Sequence, residues 1–215
     1  AFLLDLGGFT PLLYAFDDRE QIIDLLERVT GSRLTYCYMR FGGVCNDIDD
    51  EFVTGTRAFI QRLRGRLPRI YHDLVTHNII LIKRIKDIGF VSAEQCRRYG
   101  ATGPVARGSG ISYDVRRNEP YSVYPEFDFD IPVFPEGDSM ARYMVRMHEI
   151  EQSLRIIEQA LDKLPGGPVM GKVPKMLKPE AGYYYSAVET ARGSLGHRLV
   201  CDGGKNPYKL KLRSP

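Results

Sequence analysis

The sequence lacks tryptophan, any C-x-x-C pair and any apolar run long enough to span a bilayer. Its four cysteines, Cys37, Cys45, Cys96 and Cys201, are scattered. This pattern favours reduced thiols in a cytoplasmic setting over a disulfide framework. The most apolar stretch, residues 79–88, is interrupted by charged side chains, and the amino terminus does not resemble a signal peptide. We therefore expect any membrane association to come through a partner protein.

A large excess of positive or negative charge is also lacking. The 30 Lys and Arg residues are nearly balanced by 27 Asp and Glu residues, so the net charge is only +3. A dedicated nucleic-acid binder would show a clustered basic face, so no nucleic-acid partner is predicted. Gly108-Ser-Gly110 lacks the third glycine of a dinucleotide-binding loop, and no phosphate-binding loop is present. The sequence therefore gives no reason to place NADH on this chain.

Metal-ligand spacing is likewise absent among the four histidines. His72 and His77 are five residues apart, a spacing that does not place them on one face of an α-helix. No H-E-x-x-H motif occurs. The prediction is therefore that this chain binds no metal and no other cofactor.

The apolar periodicity predicts a mainly helical protein with a small sheet near its carboxyl end. Apolar residues recur at three- and four-residue steps through most of residues 10–164. Asp17-Asp18 favours a fresh helix start, Ser92-Ala-Glu-Gln95 is a capping box, and Asp138 or Ser139 caps the strongest helix. Residues 183–189, 195–201 and 208–212 alternate as strands do, and glycine-containing turns separate them.

We accordingly predict two regions. Residues 1–164 form a helical core, and residues 165–215 form a linker followed by a small antiparallel β region. The chain opens at Ala1 without an initiator methionine, as if within a helix, and closes at Pro215 just after a strand-like alternation. We therefore expect both regions to be truncated, the first at its amino end and the second at its carboxyl end.

Several motifs in order along the chain resemble those of one family. They are Leu4-Asp-Leu-Gly-Gly-Phe-Thr-Pro11, Tyr38-Met-Arg-Phe-Gly-Gly-Val44, Thr102-Gly-Pro-Val-Ala-Arg-Gly-Ser-Gly-Ile111, Arg192-Gly-Ser-Leu-Gly196 and Leu199-Val-Cys-Asp-Gly-Gly204. Together they span nearly the whole chain. The sequence is similar to the 49 kDa subunit (the D subunit in bacteria) of NADH–quinone oxidoreductase, respiratory complex I.

The resemblance implies a fold and a setting. The family shares its fold with the large subunit of nickel–iron hydrogenases, a helical bundle with peripheral sheets. The resemblance implies that the chain is a peripheral subunit on the cytoplasmic side of the cell membrane, within a proton-translocating complex. The implied partners are an iron–sulfur small subunit, the C subunit and membrane-arm subunits of the complex. Quinone would be reduced as substrate in a cavity shared with the small subunit, whose 4Fe–4S cluster supplies electrons. The chain alone would be inactive.

The resemblance also implies site residues. Asp5 matches the family's aspartate that pairs with a catalytic histidine, absent here, and it would assist proton delivery to quinone. Arg40 and the loop of Gly42, Gly43 and Val44 would lie near the quinone cavity or the cluster. Arg107 would lie in the same region, at an interface with neighbouring subunits.

Two alternatives remain open from the residues. One is the large subunit of a membrane-bound hydrogenase-like complex, which would carry two C-x-x-C metal-binding pairs outside this sequence. The other is a non-redox helical interaction domain, which predicts no cavity beside Asp5, Arg40 and Gly43.

Overall fold

Helices form most of the chain before residue 163, and a three-stranded sheet is the main element of the remainder. The structure, a computed structural model, describes residues 2–215. The α-helices are α1 (Phe2–Asp5), α2 (Phe9–Thr30), α3 (Asp50–Arg66), α4 (Ile79–Ile85), α5 (Ala93–Tyr99), α6 (Gly103–Arg107), α7 (Val115–Asn118) and α8 (Ser139–Asp162). A π-helix, Leu67–Thr76, follows α3, and a 3-10 turn covers Tyr124–Glu126. No helix within residues 2–215 combines the length and apolarity that crossing a bilayer requires.

The strands form two separate antiparallel sheets. Strands β1 (Met39–Arg40) and β2 (Gly43–Val44) make a minimal hairpin. Strands β3 (Gly182–Thr190), β4 (Gly193–Cys201) and β5 (Lys209–Arg213) form a three-stranded sheet in that order. The predicted mainly helical fold with a carboxyl-terminal antiparallel sheet is thereby confirmed.

Two compact units divide the chain in a way that differs from the predicted boundary at residue 165. Unit 1 contains the residues up to Arg84 together with Ile157–Val173. Unit 2 contains Ile85–Ile156 and Pro174–Pro215. The sequence prediction separated helical from extended segments. The chain instead groups helices α5 to α7 and most of α8 with the three-stranded sheet in unit 2, because α6 and α7 pack against that sheet.

Unit 1 has its apolar core where α2, α3 and the π-helix meet. The buried side chains there include Ile23, Phe59, Ile60, Leu63 and Val75. Helix α2 runs unbroken to a left-handed Gly31, so the helix start predicted at Asp17-Asp18 is wrong.

The reason is that Asp18 is used inside the unit rather than as a cap. It is buried, accepts a hydrogen bond from the Tyr71 hydroxyl at 2.6 Å and lies 3.2 Å from Nη1 of Arg66. Burial and the hydrogen bond to this carboxylate raise the pKa of Tyr71 well above its usual value. A carboxylate paired with a phenol and a guanidinium can remain in a helix interior without a capping role.

In unit 2, helices α5 and α8 begin where the capping residues in the sequence predict. Ser92 and Gln95 form the reciprocal capping box at the start of α5, and the helix ends at a left-handed Gly100. Asp138 accepts from the backbone N–H of Ala141 at 2.7 Å, in the first turn of α8. Both predicted helix starts are therefore confirmed, because each depends on contacts between residues three apart in the chain.

Candidate functional site

Asp5 ends the short helix α1 and is exposed. A tight turn follows it, in which the N–H of Gly7 donates to the Leu4 carbonyl at 2.8 Å and Gly7 adopts a φ of 87°. Within residues 2–215, the carboxylate of Asp5 has no hydrogen bond or ion pair. Its charge is therefore available to a group outside this chain.

A small, mainly apolar cavity lies in unit 1 beside this turn. Its volume is about 100 Å³. The turn after α1 forms one wall, and the end of the π-helix with the start of α4 forms the other; the lining residues are Leu3, Leu6, Gly7, Gly8, Pro11, Leu74, Val75, Asn78, Ile80 and Leu81. Arg84 also donates a hydrogen bond to the Leu6 carbonyl, which ties the turn to α4. Asp5 stands next to lining residue Leu6 in the chain without itself lining the cavity.

The double glycine packs against another segment of unit 1. In the β1–β2 hairpin, Gly42 has a φ of 92° and Gly43 a φ of 155°. The N–H of Gly171 donates to the Gly42 carbonyl at 2.8 Å, and the Val44 N–H donates to the Val169 carbonyl at 3.0 Å. A Cβ on Gly43 would lie 2.0 Å from the Val169 oxygen, so no side chain fits. Close approach of the chain to itself explains the glycines.

Arg40 precedes this turn and is exposed. Within the described part of the chain its guanidinium has no hydrogen bond or ion pair. Its backbone pairs with Gly43 across the hairpin. The hairpin therefore presents an uncompensated positive charge on a fixed backbone.

Arg107 has a very different environment, at the end of α6 in unit 2. Only 1% of its side chain is exposed. Its guanidinium lies 2.5 Å from Glu149, 3.1 Å from Glu189 and 3.5 Å from Asp114, measured between charged N and O atoms. It also donates to the Tyr113 carbonyl at 2.8 Å. This side chain is enclosed within unit 2. Its place at an interface with neighbouring subunits, which the resemblance implied, stays a prediction.

A second arginine completes this buried charge cluster, which we define as Arg107, Asp114, Arg116, Glu149 and Glu189. Arg116 pairs with Asp114 at 2.6 Å. Burial opposes ionisation of Asp114, but hydrogen bonds from Arg116 outweigh it and lower the pKa of this carboxyl. Burial, reinforced by the charge of Asp114, raises the pKa of Glu189 despite the nearby Arg107. Three carboxylates face two guanidinium groups, and this excess of negative charge adds to the effect of burial on the pKa of Glu189.

The structure also brings together three groups that the sequence pattern did not join. His72, Asp73 and His77 are exposed, and one potential ligand atom from each lies within 4.8 Å of the others. The prediction of no metal ligands had placed the five-residue spacing on an α-helix, where the two histidines would diverge. Pro68 was the available signal, since proline interrupts α-helical hydrogen bonding.

The predicted site residues therefore occur in three places. Asp5 precedes the cavity-lining residue Leu6 of unit 1, and Arg40 with residues 42–44 forms the hairpin of the same unit. Arg107 belongs to unit 2. Their assignment to a quinone cavity or to a cluster stays a prediction.

Comparisons with known proteins establish the family. The family model described as respiratory-chain NADH dehydrogenase, 49 Kd subunit, matches residues 5–215. The chain is 74% identical over its whole length to the D subunit of NADH-quinone oxidoreductase from Desulfotalea psychrophila. It is 62% identical to the D subunit, numbered 2, of the same enzyme from Opitutus terrae. It spans 58% and 54% of those two proteins.

A solved structure agrees in fold. The membrane-bound sulfane sulfur reductase, described as an archaeal respiratory membrane complex, contains a chain that is 38% identical, with a TM-score of 0.92. The match covers 99% of this chain and 58% of that one. The fold thus belongs to a class of subunits found in respiratory membrane complexes. Within that class, the chain belongs to the 49 kDa subunit family of respiratory-chain NADH dehydrogenase.

Proposed function

We propose that this chain forms part of the wall of a quinone-reduction cavity in an NADH–quinone oxidoreductase. Unit 1 supplies the wall, and an iron–sulfur small subunit with a 4Fe–4S cluster closes it. The C subunit and the membrane-arm subunits complete a peripheral assembly on the cytoplasmic side of the membrane, where electron transfer is coupled to proton translocation.

The observation that carries this proposal is an exposed, unpaired carboxylate beside an apolar cavity in a member of this family. An apolar cavity suits a lipid-soluble head group, because it removes apolar surface from water. Asp5 immediately precedes Leu6, which lines that cavity, and it has no charge partner within the described residues. A free carboxylate beside such a cavity can hold an imidazole in position, or in its charged form, for proton delivery.

Arg40 and the double-glycine hairpin form the second part of the proposed wall. An unpaired guanidinium next to a reduced iron–sulfur cluster stabilises the added negative charge, which raises the cluster's reduction potential. The hairpin's bonds to residues 169–171 fix the backbone on which Arg40 is carried. In this proposal Asp5 is a positioning residue, and Arg40 raises the reduction potential of the iron–sulfur cluster.

The test is Asp5→Asn in the intact complex. We expect quinone reduction to fall at least about tenfold, because positioned proton transfer contributes about that much or more. Reduction of the iron–sulfur clusters by the electron donor should be unchanged. The loss should appear in kcat and its pH profile rather than in KM, and Asp5→Glu should restore part of the rate.

Glu136→Gln is the matched control, because Glu136 is an exposed carboxylate of unit 2 without a partner in the described chain. It should leave quinone turnover unchanged. Equal turnover in Asp5→Asn and in the parent complex would refute the role of Asp5.

A specific observation supports one alternative to quinone reduction. The likeness to a chain of the membrane-bound sulfane sulfur reductase favours, as second candidate, the large subunit of a membrane-bound hydrogenase-like complex. Such a complex would reduce sulfane sulfur or protons and would leave quinone unreacted. Assaying the purified complex with each acceptor separates the two functions.

A further inference from the structure

We infer that His72, Asp73 and His77 form a binding site for a divalent transition metal ion of the zinc class. The two imidazoles and the carboxylate converge on one exposed point of unit 1. Imidazole with carboxylate is a donor set that suits Zn²⁺ and its neighbours in the periodic table. The same π-helix also contributes Leu74 and Val75 to the cavity of unit 1, but the metal proposal rests on the exposed side chains of His72, Asp73 and His77 and does not depend on the quinone proposal.

The π-helix creates this convergence. Five residues along an α-helix turn through about 500°, which leaves their side chains about 140° apart around the axis. In a π-helix, residues i and i+5 are hydrogen-bonded across one turn. The N–H of His77 donates to the His72 carbonyl at 3.1 Å, so these two residues lie one above the other.

Pro68 gives a reason for the change of winding. It lacks the N–H that would bond to the carbonyl four residues earlier, so the α-helical pattern of α3 is interrupted there. Thr76 then supports the wider turn, because its hydroxyl donates to the Tyr71 carbonyl, five residues back, at 2.8 Å. The π-helix is rare, and where it interrupts an α-helix it is frequently found at a functional site.

The donor atoms are close to binding geometry. Nδ1 of His72 lies 3.2 Å from Oδ1 of Asp73, and Nδ1 of His77 lies 4.0 Å from the same oxygen. The two rings meet edge to face, with centroids 4.3 Å apart. Ligand atoms about 2.0–2.2 Å from a tetrahedral Zn²⁺ lie about 3.3–3.5 Å from one another. All three ligand atoms lie within 4.8 Å of one another, so no separation between them has to shrink by more than about 1.5 Å.

Exposure permits that movement. The side chains of His72, Asp73 and His77 are 59%, 70% and 58% exposed, so ring and carboxylate rotations meet little resistance. Three protein ligands leave a fourth position for water, which makes an open and exchangeable site rather than a closed structural one.

A bound ion would also act on the backbone. It would join His72 to His77, the two residues that the π-type hydrogen bond already links. An ion that binds only when this turn is present stabilises the turn by mass action. Metal binding should therefore protect the amide of His77 from hydrogen exchange.

The experiment is titration of the purified full-length subunit with Zn²⁺, followed by Co²⁺ to report nitrogen and oxygen ligation by its visible spectrum. The parent should bind one more ion than either His72→Ala or His77→Ala, or bind it at least about tenfold more tightly than they do. His197→Ala is the matched control, since His197 is also exposed but lies in the sheet of unit 2. It should bind as the parent does.

Hydrogen exchange supplies a readout specific to this geometry. Zn²⁺ should slow exchange of the His77 amide in the parent and in His197→Ala, and should leave it unchanged in His72→Ala. Equal Zn²⁺ binding by the parent and both histidine variants would overturn the proposal. So would Zn²⁺ binding that leaves the His77 amide exchange unaltered.

Discussion

Arg40 and Arg107 are both arginines that the sequence placed near one functional region, yet the molecule uses them in opposite ways. Arg107 is enclosed in unit 2, where its charge is matched by three carboxylates. Arg40 stands exposed on a hairpin of unit 1 without a partner in the described chain. The difference teaches that a motif arginine can maintain the fold as readily as it can face a ligand, and only its surroundings separate the two roles.

The same contrast extends to the carboxylates. Asp114 and Glu189 are buried and bonded to guanidinium groups or backbone donors. Asp5 is exposed and unpaired within residues 2–215. The charged groups of this cluster in unit 2 therefore pair with one another, whereas Asp5 and Arg40 of unit 1 have no partner within residues 2–215.

The largest expected effect comes from removing the buried guanidinium. Arg107→Met should lower the free energy of unfolding by about 3–5 kcal/mol, because it leaves buried carboxylates without their partner. Arg40→Met, the matched exposed change, should alter it by no more than about 0.5 kcal/mol. Urea denaturation of both variants measures the contrast. Similar losses in the two variants would break the distinction between the two arginines.

A smaller effect is expected from Glu189→Gln, which removes the excess negative charge of the buried cluster. The amide can still accept from Arg107, but one of the two acceptor oxygens used by Arg107 and Val115 is lost. The free energy of unfolding at neutral pH should fall by about 1 kcal/mol, less than for Arg107→Met. Urea denaturation at neutral pH measures this loss.

The pH dependence of this variant has a defined sign. Because the pKa of Glu189 is raised on folding, the folded state holds a proton that the unfolded state has released just above the ordinary glutamate pKa. This group therefore makes the parent lose stability as pH rises through that window, and Glu189→Gln should remove its contribution. An unchanged pH slope in the variant would show that Glu189 stays ionised in the folded protein.

Sequence reasoning succeeded where short-range signals decide the structure. The capping box at Ser92, the cap at Asp138 and the alternation of residues 183–189 all depend on neighbours a few positions apart. These signals are complete within the sequence itself. Helix α5, the start of α8 and the carboxyl-terminal sheet followed from them.

Prediction from the sequence was wrong where residues far apart in the chain determine the local structure. Asp18 lies in a helix interior because Tyr71 and Arg66, far along the chain, pair with its carboxylate. Two of the partners of Arg107 are likewise distant, since Glu149 and Glu189 lie 42 and 82 positions away in the sequence numbering. Nothing in the local pattern of either residue announces such partners.

The His72–Asp73–His77 cluster was missed for a third reason, the choice of helix period. The spacing of the two histidines in the sequence was interpreted with the period of an α-helix, which is commoner than a π-helix. Where a proline precedes residues five apart that share chemistry, the π-helical spacing has to be considered as well. For Asp5, by contrast, no local pattern indicates a role, and the role that the family resemblance implies stays a prediction.

The most direct test of the central claim is photolabelling of the intact complex with an azido-quinone, followed by mapping of the labelled peptides. We predict label in unit 1, within residues 3–11 or 74–81, and loss of label when unmodified quinone competes. Labelling confined to unit 2, around Arg107, would contradict the assignment of the quinone wall to unit 1.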